Sequence, residues 1–470
     1  MLSLKPKRRD INPPAAHTGH IPLSQAAQKI HSMENSQSEA ARDLSLVRIV
    51  YRLREMFGED RAVIATGGDF RIDNERQRAV ALPHNLEELS EMMRLASDER
   101  WRVIPAGAGT WLEMGNRPTR FDLIVSTAKM NRVIEYEPAD LTATVEAGCA
   151  LASFNKNAAE HRQFIPLDPF GDERSTLGGV IATASAGPLR CAYGTPRDWL
   201  IGIRVVHADG GVTKAGGKVV KNVAGYDLCK LYAGSFGTLA VIAEMSFKLR
   251  ALPPVEKTLV FYANDVESLC ALVARVNDSD VQPAAMELIS PSNNLALAIE
   301  DNQFALALRF LNEAEAVDSQ IEEAAKLGAD FKHTVLSESD ADAFWRGYHE
   351  SETSSQIASS LRMSALPADL PAALADVDLA LPEINWRAHA ANGVVRIHAE
   401  TEIEPGRVAE LRKRAQSRGG QLVILRAPNR IKEQLDVWGE VGQTASLMRA
   451  LKEKFDPQAQ LNPGRFVAGI

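Results

Sequence analysis

The chain has 470 residues, of which 45% are hydrophobic and 24% are charged, a composition typical of globular proteins. Its formal net charge of −8 argues against bulk nucleic-acid binding, which depends on dense basic patches, and an aromatic content of 6% offers single strands no evident stacking platform. The cysteines are widely separated and form no CxxC pair, which excludes the usual local ligand spacing of zinc and iron–sulfur sites and favours a reducing compartment. They are Cys149, Cys191, Cys229 and Cys270.

The N-terminal residues 1–42 are polar and show little apolar periodicity, so they are predicted to be a disordered extension. Four basic residues lie between Lys5 and Arg9, but no apolar segment follows them as an export signal requires. No run of about 18 apolar residues occurs in the chain. The expected location is therefore the cytoplasm.

The first predicted domain covers residues 43–252. Apolar residues at helical spacing predict a helix from Asp43 to Gly58, and an apparent capping box at Asn85 and Glu88 predicts the start of another. A third helix is predicted over residues 150–161. Strands are predicted at residues 78–82, 101–104, 124–126, 142–145, 201–206 and 241–248.

Two prolines, Pro253 and Pro254, mark a predicted domain boundary. From 253 to 445, strands and helices alternate, which predicts an α+β domain. The predicted strands are 258–261, 304–310 and 394–398, and the predicted helices are 268–276, 313–326 and 408–418. The last part, residues 446–470, ends in an Asn-Pro-Gly-Arg motif.

A first glycine-bearing loop, residues 105–110, follows a predicted strand directly and reads Pro-Ala-Gly-Ala-Gly-Thr. Glycine allows close backbone approach, and successive turn amides can bind a pyrophosphate. An ordinary strand-to-loop turn explains the pattern as well. It is not a Rossmann fingerprint, because the third glycine and the following helix are missing.

A second segment, residues 168–187, contains Asp168-Pro169-Phe170 and then a run of small residues from Leu177 to Gly187. Small side chains leave space for a ligand against the backbone. A packed small-residue helix is the alternative, but the Gly178-Gly179 pair disfavours a helix interior and favours a ligand-facing loop.

A third segment, residues 218–239, contains Lys221, Asp227 and a Gly-Ser-Phe-Gly-Thr motif at 234–238. Its glycines predict turns before the strand at Val241. The alternative interpretation is a structural hairpin with a buried Tyr226, in which Lys221 and Asp227 form ion pairs.

In this order, and with the C-terminal Asn-Pro-Gly-Arg, the three segments resemble the FAD-binding oxidoreductases of the p-cresol methylhydroxylase type, most closely those that serve as FAD-binding subunits in bacterial glycolate oxidases. The resemblance is strong over 45–250 and 446–470 and weaker between them. It implies an α+β fold in which two subdomains hold FAD beneath an α+β cap.

The resemblance also implies the cofactor-binding residues. The first loop would cradle the pyrophosphate, Val241 and Ile242 would offer backbone contacts, and Asn462 and Arg465 would return towards the flavin, where a cation stabilises the anionic reduced ring. The full set is Pro105, Ala106, Gly107, Ala108, Gly109, Thr110, Asp168, Pro169, Thr176, Gly178, Gly179, Ala182, Val241, Ile242, Asn462 and Arg465.

The sequence departs from the catalytic members of this family at three points. The first loop lacks the histidine that attaches flavin covalently in some relatives, so non-covalent FAD is expected. The paired-histidine motif of the cap is missing, and Phe236 stands where the relatives have a glutamate. The remaining candidates for catalysis are His389, Arg387 as a carboxylate clamp, and His398; a structural role is the alternative for each.

The implied function is that of an FAD-binding subunit in a complex that oxidises glycolate to glyoxylate. Its partners would be a paralogous catalytic flavoprotein and an iron–sulfur subunit, with contact to the membrane only through them. Two alternatives remain, namely a self-sufficient FAD-dependent dehydrogenase for D-lactate or another 2-hydroxy acid, and a non-catalytic structural flavin-binding subunit. No metal site is expected.

Overall fold

The computed structural model describes residues 37–66, 68–72, 77–217, 226–291, 303–350 and 356–470. The predicted N-terminal extension up to residue 36 and the Lys221 region lie outside these residues. The described chain forms two adjoining subdomains, a cap, and a C-terminal segment that returns to the first subdomain. The predicted α+β class is confirmed.

The first subdomain has a four-stranded sheet of order β1-β2-β4-β3, in which β2, β4 and β3 are parallel. Its first helix packs one apolar face, including Leu46, Ile49 and Leu53, into this core. The elements are α1 (Gln37–Phe57), β1 (Ala62–Thr66), β2 (Gln77–Ala81), α2 (Leu86–Asp98), β3 (Val103–Ala106) and β4 (Leu123–Ser126).

Two of the predicted helix starts can be compared directly with the observed helices of this subdomain. Helix α1 begins at Gln37, so residues 37–42 are helical although the sequence assigned them to the extension. The cap at Asn85 is confirmed, because its side chain accepts the Glu88 N–H at 2.8 Å. The Glu88 carboxylate accepts the N–H of His84, one residue before the position that a capping box requires.

The second subdomain is built on a five-stranded antiparallel sheet of order β5-β6-β10-β8-β9. Short strands β7 and β11 pair separately at its side. The elements are β5 (Val133–Glu137), β6 (Thr142–Glu146), α3 (Leu151–Ala158), β7 (Gln163–Phe164), α4 (Leu177–Thr183), α5 (Arg190–Tyr193), α6 (Pro196–Trp199), β8 (Leu200–Val206), β9 (Val212–Gly216), α7 (Leu228–Tyr232), β10 (Val241–Lys248) and β11 (Arg250–Ala251).

The cap has an eight-stranded antiparallel sheet of order β15-β12-β14-β13-β17-β18-β16-β19. One sheet face packs helices α8, α9, α11 and α12 into the largest apolar core. The elements are β12 (Val255–Ala263), α8 (Val266–Asn277), β13 (Ala285–Ile289), β14 (Phe304–Asn312), α9 (Ala314–Leu327), β15 (Lys332–Val335), α10 (Glu338–Glu350), β16 (Ser359–Ser364), α11 (Leu370–Ala380), β17 (Asn385–His389), β18 (Val394–Ala399), α12 (Pro405–Ser417), β19 (Gln421–Arg426) and α13 (Asn429–Lys432).

The opposite sheet face carries α10 and a smaller apolar cluster to which Phe170 of the second subdomain also belongs. This face is therefore turned towards the other two subdomains. After the cap, helix α14 (Thr444–Phe455) leads back, and Leu461 pairs with Val103 in the first subdomain.

Candidate functional site

A cleft lies between the two subdomains and reaches the C-terminal segment. It brings together segments of the chain that are far apart in sequence. The predicted cofactor-binding residues that line it are Pro105, Ala106, Gly107, Ala108, Gly109, Thr110, Pro169, Thr176, Gly178, Gly179, Ala182, Val241, Ile242, Asn462 and Arg465.

Close packing explains why glycine stands in the first loop. A Cβ on Gly107 would lie 2.0 Å from Oγ1 of Thr176, and Gly109 has a φ of +85°. The Ser126 hydroxyl donates to the Gly107 carbonyl at 2.8 Å and anchors the loop to the end of β4. The loop backbone therefore borders the cleft directly, and its glycines allow it to approach a ligand closely.

The small-residue segment is a helix where the sequence favoured a loop. Thr176 caps α4 by accepting the Gly179 N–H at 3.2 Å, and this cap offsets part of the cost of two glycines. A Cβ on Gly178 would lie 2.7 Å from the Ala147 carbonyl, so tight packing on the sheet requires glycine at this position. The ligand-facing part of the prediction agrees with the structure, because α4 lines the cleft.

The C-terminal motif closes one end of the cleft. The Asn462 amide donates to the Phe236 carbonyl at 2.5 Å. The Arg465 guanidinium donates to the carbonyls of Leu112 and Met114, at 2.5 and 2.6 Å, and to the Asn462 side chain at 3.2 Å. A buried cation is thereby held in the cleft wall, as the resemblance implied.

Phe236 also lines the cleft, in place of the glutamate of the catalytic relatives. It adopts a left-handed backbone with a φ of +56°, and its ring stacks on Phe466 at 5.5 Å and meets Trp438 edge-on at 5.2 Å. This wall is apolar, so no carboxylate acts there. Tyr226 is 96% exposed, which contradicts the alternative of a hairpin with a buried tyrosine.

Asp227, which the sequence suggested as an ion-paired structural residue, caps α7 through the Lys230 N–H and pairs with the Lys230 ammonium at 3.1 Å. Asp168 is the one predicted cofactor residue that does not line the cleft. Its carboxylate accepts the Leu189 N–H at 2.8 Å and lies 3.7 Å from Nε2 of His349. Burial raises the pKa of Asp168 to about 7 and lowers the pKa of His349 to about 3, so this contact is not an ion pair at neutral pH.

Three arginines stand in register across adjacent strands on the cap face that is turned towards the subdomains. Arg387 of β17 lies opposite Arg396 of β18, which lies opposite Arg362 of β16. Burial, together with the charges of Arg396 and Arg190, lowers the pKa of Arg362 to about 10. Like charges directly opposite in a sheet are unfavourable, so opposite charges nearby or a bound anion must offset the cost. We call this surface, with Glu287 and His389, the polar face.

A buried hydrogen-bonded triad lies at one end of the polar face. His389 Nδ1 lies 2.7 Å from one Glu287 oxygen, and the Tyr348 hydroxyl donates to the other. A carboxylate only accepts, so we assign the proton to Nδ1, which leaves a lone pair on Nε2. Nε2 is buried and has no hydrogen-bond partner among the described residues. A buried imidazole in this state is suited to accept a proton.

The other predicted catalytic residues lie beside this triad. Arg387 donates to the Tyr348 carbonyl at 2.5 Å and stacks its guanidinium 4.5 Å over the Tyr348 ring. His398 lies on the next strand, with Nε2 3.4 Å from an Arg387 nitrogen. The three candidates therefore form one cluster, in which His389 pairs with the Glu287 carboxylate at hydrogen-bonding distance.

Sequence reasoning missed Glu287, Tyr348, His349, Arg362 and Arg396. A glutamate within the apolar run at 285–289 was the one local signal for Glu287. The pairing of β13 with β17, which places Glu287 opposite His389, is not encoded in any local pattern.

Within the described ranges no group of three or more histidine, cysteine or acidic side chains could hold a metal ion, and no helix there is long and apolar enough to cross a membrane. All four cysteines are free thiols, and burial raises the pKa of each to about 11. They are therefore protonated at neutral pH and poor nucleophiles.

Two protein-family profiles match the chain. The FAD binding domain family matches residues 77–216, which contain the first loop and α4. The C-terminal domain family of FAD linked oxidases matches residues 438–466, which contain Asn462 and Arg465. Both matches cover segments that line the cleft.

Similar proteins include enzymes that are named for 2-hydroxy acids. Glycolate oxidase subunit GlcD of Bacillus subtilis is 29% identical over 83% of this chain and 89% of that protein. D-2-hydroxyglutarate dehydrogenase of Xanthomonas citri is 27% identical over 82% and 88%. D-lactate dehydrogenase of Archaeoglobus fulgidus is 37% identical, but over 36% of this chain and 38% of that protein.

Solved structures share the fold at low identity. A 4-ethylphenol oxidase from Gulosibacter chungangensis superimposes with a TM-score of 0.67 at 15% identity, covering 90% of this chain and 97% of that one. A p-cresol methylhydroxylase gives a TM-score of 0.64 at 15% identity, covering 91% and 97%. The two family matches, the relatives and the fold together show that this chain is an FAD-dependent oxidoreductase, a flavoprotein with the p-cresol methylhydroxylase-type fold.

Proposed function

We propose that this chain is the FAD-binding subunit of a glycolate oxidase complex and that it takes part in the oxidation of glycolate to glyoxylate. One observation carries the proposal, namely the buried Glu287–His389 pair beside three arginines in register. This polar face adjoins the cleft through the loop that contains Pro169 and Phe170. The activities of the similar 2-hydroxy-acid enzymes support the same chemistry.

The cleft suits FAD without a covalent bond. Among the described residues that line it there is no histidine, cysteine or tyrosine, the usual nucleophiles for such a bond. Acid precipitation is expected to release all flavin into the supernatant, and flavin retained in the protein pellet would contradict this. Bound FAD would supply a two-electron acceptor for the hydride of the substrate α-carbon.

The arginines of the polar face would bind the substrate carboxylate. A guanidinium presents paired N–H donors that match the two oxygens of a carboxylate. Arg387 is held in place by the Tyr348 carbonyl and Arg396 by the Phe170 ring, so both are ordered before a substrate arrives. Ordered groups lose less freedom on binding, which favours a fixed substrate position.

His389 would accept the hydroxyl proton as hydride leaves the adjacent carbon. Its Nε2 gains the proton, and Glu287 stabilises the resulting imidazolium through the Nδ1–H bond. Burial and the neighbouring Glu287 raise the pKa of Tyr348 well above its ordinary value. The Tyr348 hydroxyl therefore stays protonated and, as a donor, orients the Glu287 carboxylate. Glu287 and Tyr348 are thus positioning residues for His389.

The electrons must leave the reduced flavin. The proposed partners are a paralogous catalytic flavoprotein and an iron–sulfur subunit, and the subunit name of the Bacillus subtilis relative supports an assembly. The proposed location is the cytoplasm, with contact to the inner membrane only through these partners. Purification of a tagged chain from its own host should recover both partner types, and recovery of the chain alone under mild conditions would contradict the assembly.

Substitution of Glu287 tests the catalytic assignment. Glu287→Gln should keep FAD but slow flavin reduction by glycolate by about 10²-fold or more, the usual scale of general base catalysis. His389→Asn should have an effect of similar size. The expected signature is a changed pH profile of the reduction rate, which a merely structural role would not produce. Glu267→Gln, at an exposed position on α8, is the control.

Unchanged reduction rates in both variants would remove His389 from the mechanism. Loss of FAD in either variant would show that the pair acts on cofactor binding instead. The same assays with D-lactate and D-2-hydroxyglutarate compare glycolate with the substrates of other relatives.

A further inference from the structure

Phe170 connects the cleft to the polar face. Its neighbour Pro169 lines the cleft, whereas the Phe170 side chain turns into the protein and is 0% exposed. The Trp111 indole donates to the Phe170 carbonyl at 3.0 Å, and Trp111 also lines the cleft. The backbone of residue 170 is therefore fixed to the cleft wall.

The Phe170 ring is surrounded by polar side chains of the cap. The Arg396 guanidinium lies 3.7 Å from the ring centre. The rings of His349, His389 and Tyr348 lie at 5.7, 5.8 and 6.0 Å. An apolar ring thus fills the space directly beside the proposed base, in a region where the strands present charged groups.

We infer that Phe170 sets the size of the substrate. This inference rests on the proposed function, because it takes His389 as the base and the polar face as the substrate site. During oxidation one hydrogen of the α-carbon leaves as hydride, and the second position on that carbon holds a hydrogen in glycolate but a side chain in larger 2-hydroxy acids. The Phe170 ring occupies the volume beside His389 into which such a side chain would extend.

Packing makes this exclusion effective. Protein interiors are close-packed, so a group that meets a fully buried ring must displace it. Displacement of Phe170 would also break the guanidinium stacking with Arg396, which is itself part of the proposed carboxylate site. Glycolate avoids both costs, so the protein selects the smallest member of the substrate class.

The test replaces Phe170 by smaller residues. The full chain carrying Phe170→Ala should gain in kcat/KM for D-lactate relative to glycolate by about tenfold or more, the scale of one or two methylene groups in a pocket. Phe170→Leu loses less volume, keeps more of the packing and should give an intermediate gain. Phe164→Leu is the matched control, since it is a buried phenylalanine of the same subdomain that packs on Tyr193.

A second readout does not depend on turnover. D-lactate and D-2-hydroxyglutarate are titrated into the oxidised holoprotein of each variant, and binding is followed by the change in the flavin absorption spectrum within the mixing time. Tighter binding of both acids to the Phe170 variants than to the wild type is expected. FAD content and the melting temperature are recorded for each variant to establish that it folds.

The two proposals fail in different ways. If no 2-hydroxy acid reduces the wild-type flavin, alone or in the complex, the proposed function is overturned. If glycolate reduces the wild type, but folded Phe170→Ala and Phe170→Leu keep its selectivity and its affinities, only the size limit is overturned.

Discussion

At the scale of single residues, glycines at the cleft are required because any side chain would disturb their close contacts. Gly107→Ala would place a methyl group 2.0 Å from the Thr176 hydroxyl, so either the loop or the cap of α4 must shift. We expect FAD binding to weaken at least about tenfold, which corresponds to a cost of about 1.4 kcal/mol. The flavin-to-protein ratio of the purified variant measures this.

Gly406→Ala is the control for that substitution. Gly406 lies in α12, where nothing stands within 4 Å of an added Cβ. It should keep full FAD content and gain slight stability from the better helix former. A Gly107→Ala protein that retains its flavin would show that the first loop does not approach the cofactor.

Asp168 makes stability depend on pH in a predictable direction. Burial raises its folded pKa from 3.8 to about 7, helped by Glu287 and opposed by the Leu189 N–H and Arg309. Between these pH values the folded state holds a proton that the unfolded state has lost. The free energy of unfolding therefore falls as pH rises from about 4 to about 7, by on the order of 4 kcal/mol from this group.

Asp168→Asn should remove that contribution. Denaturant titrations measure the unfolding free energy of both proteins. We expect the variant to become more stable relative to the wild type from pH 4 to pH 7, and this difference to stay constant above pH 7. Asp172→Asn, a more exposed position on the same loop, is the control. Parallel pH curves for wild type and Asp168→Asn would contradict the assigned protonation of Asp168.

At the scale of secondary-structure elements, helix α14 is tied to the cleft by one buried ammonium. Lys452 Nζ donates to the Asp456 carboxylate at 2.6 Å and to the carbonyls of Leu461 and Thr238 at 2.7 and 2.8 Å. Lys452→Met would leave the buried Asp456 charge without its partner. The expected loss in unfolding free energy is about 3–5 kcal/mol, with loss of FAD because Asn462 and Arg465 move.

Lys454→Met on the same helix is exposed and should change neither property. The test measures thermal unfolding and flavin content for both variants. Equal stability of the two variants would mean that the C-terminal segment is held by other contacts.

Local patterns predicted the elements well but not how they meet. Helix α1 and strands β8 and β10 follow from apolar spacing alone, because each buries one continuous face or run. The loop predicted at α4 was wrong, because the glycine pair argued against a helix. The Thr176 cap and the packing of Gly178 on Ala147 offset that cost, and this packing is a tertiary contact that no local pattern shows. The family resemblance predicted the residues that line the cleft. The contact of Glu287 with His389 could not be predicted, because it depends on the pairing of strands that bring together residues 102 positions apart.

At the scale of the whole molecule, the cap and the subdomains are joined close to the cleft. Arg426 of β19 pairs with Glu113 at 3.2 Å, and Asn116 donates to Asp436 at 2.7 Å. Arg117 and Glu433 form a further ion pair across the same boundary. These contacts join the cap to the first subdomain beside the cleft.

The central claim is that glycolate gives up its hydride in this chain, between the cleft and the polar face. The most direct measurement is the visible absorption of the purified, FAD-loaded chain under anaerobic conditions during a glycolate titration, first alone and then with its partner subunits. The account predicts that glycolate bleaches the oxidised flavin of this chain and that His389→Asn slows the bleaching while FAD stays bound. A yellow protein that glycolate leaves oxidised in both preparations, although dithionite reduces it, would contradict the account.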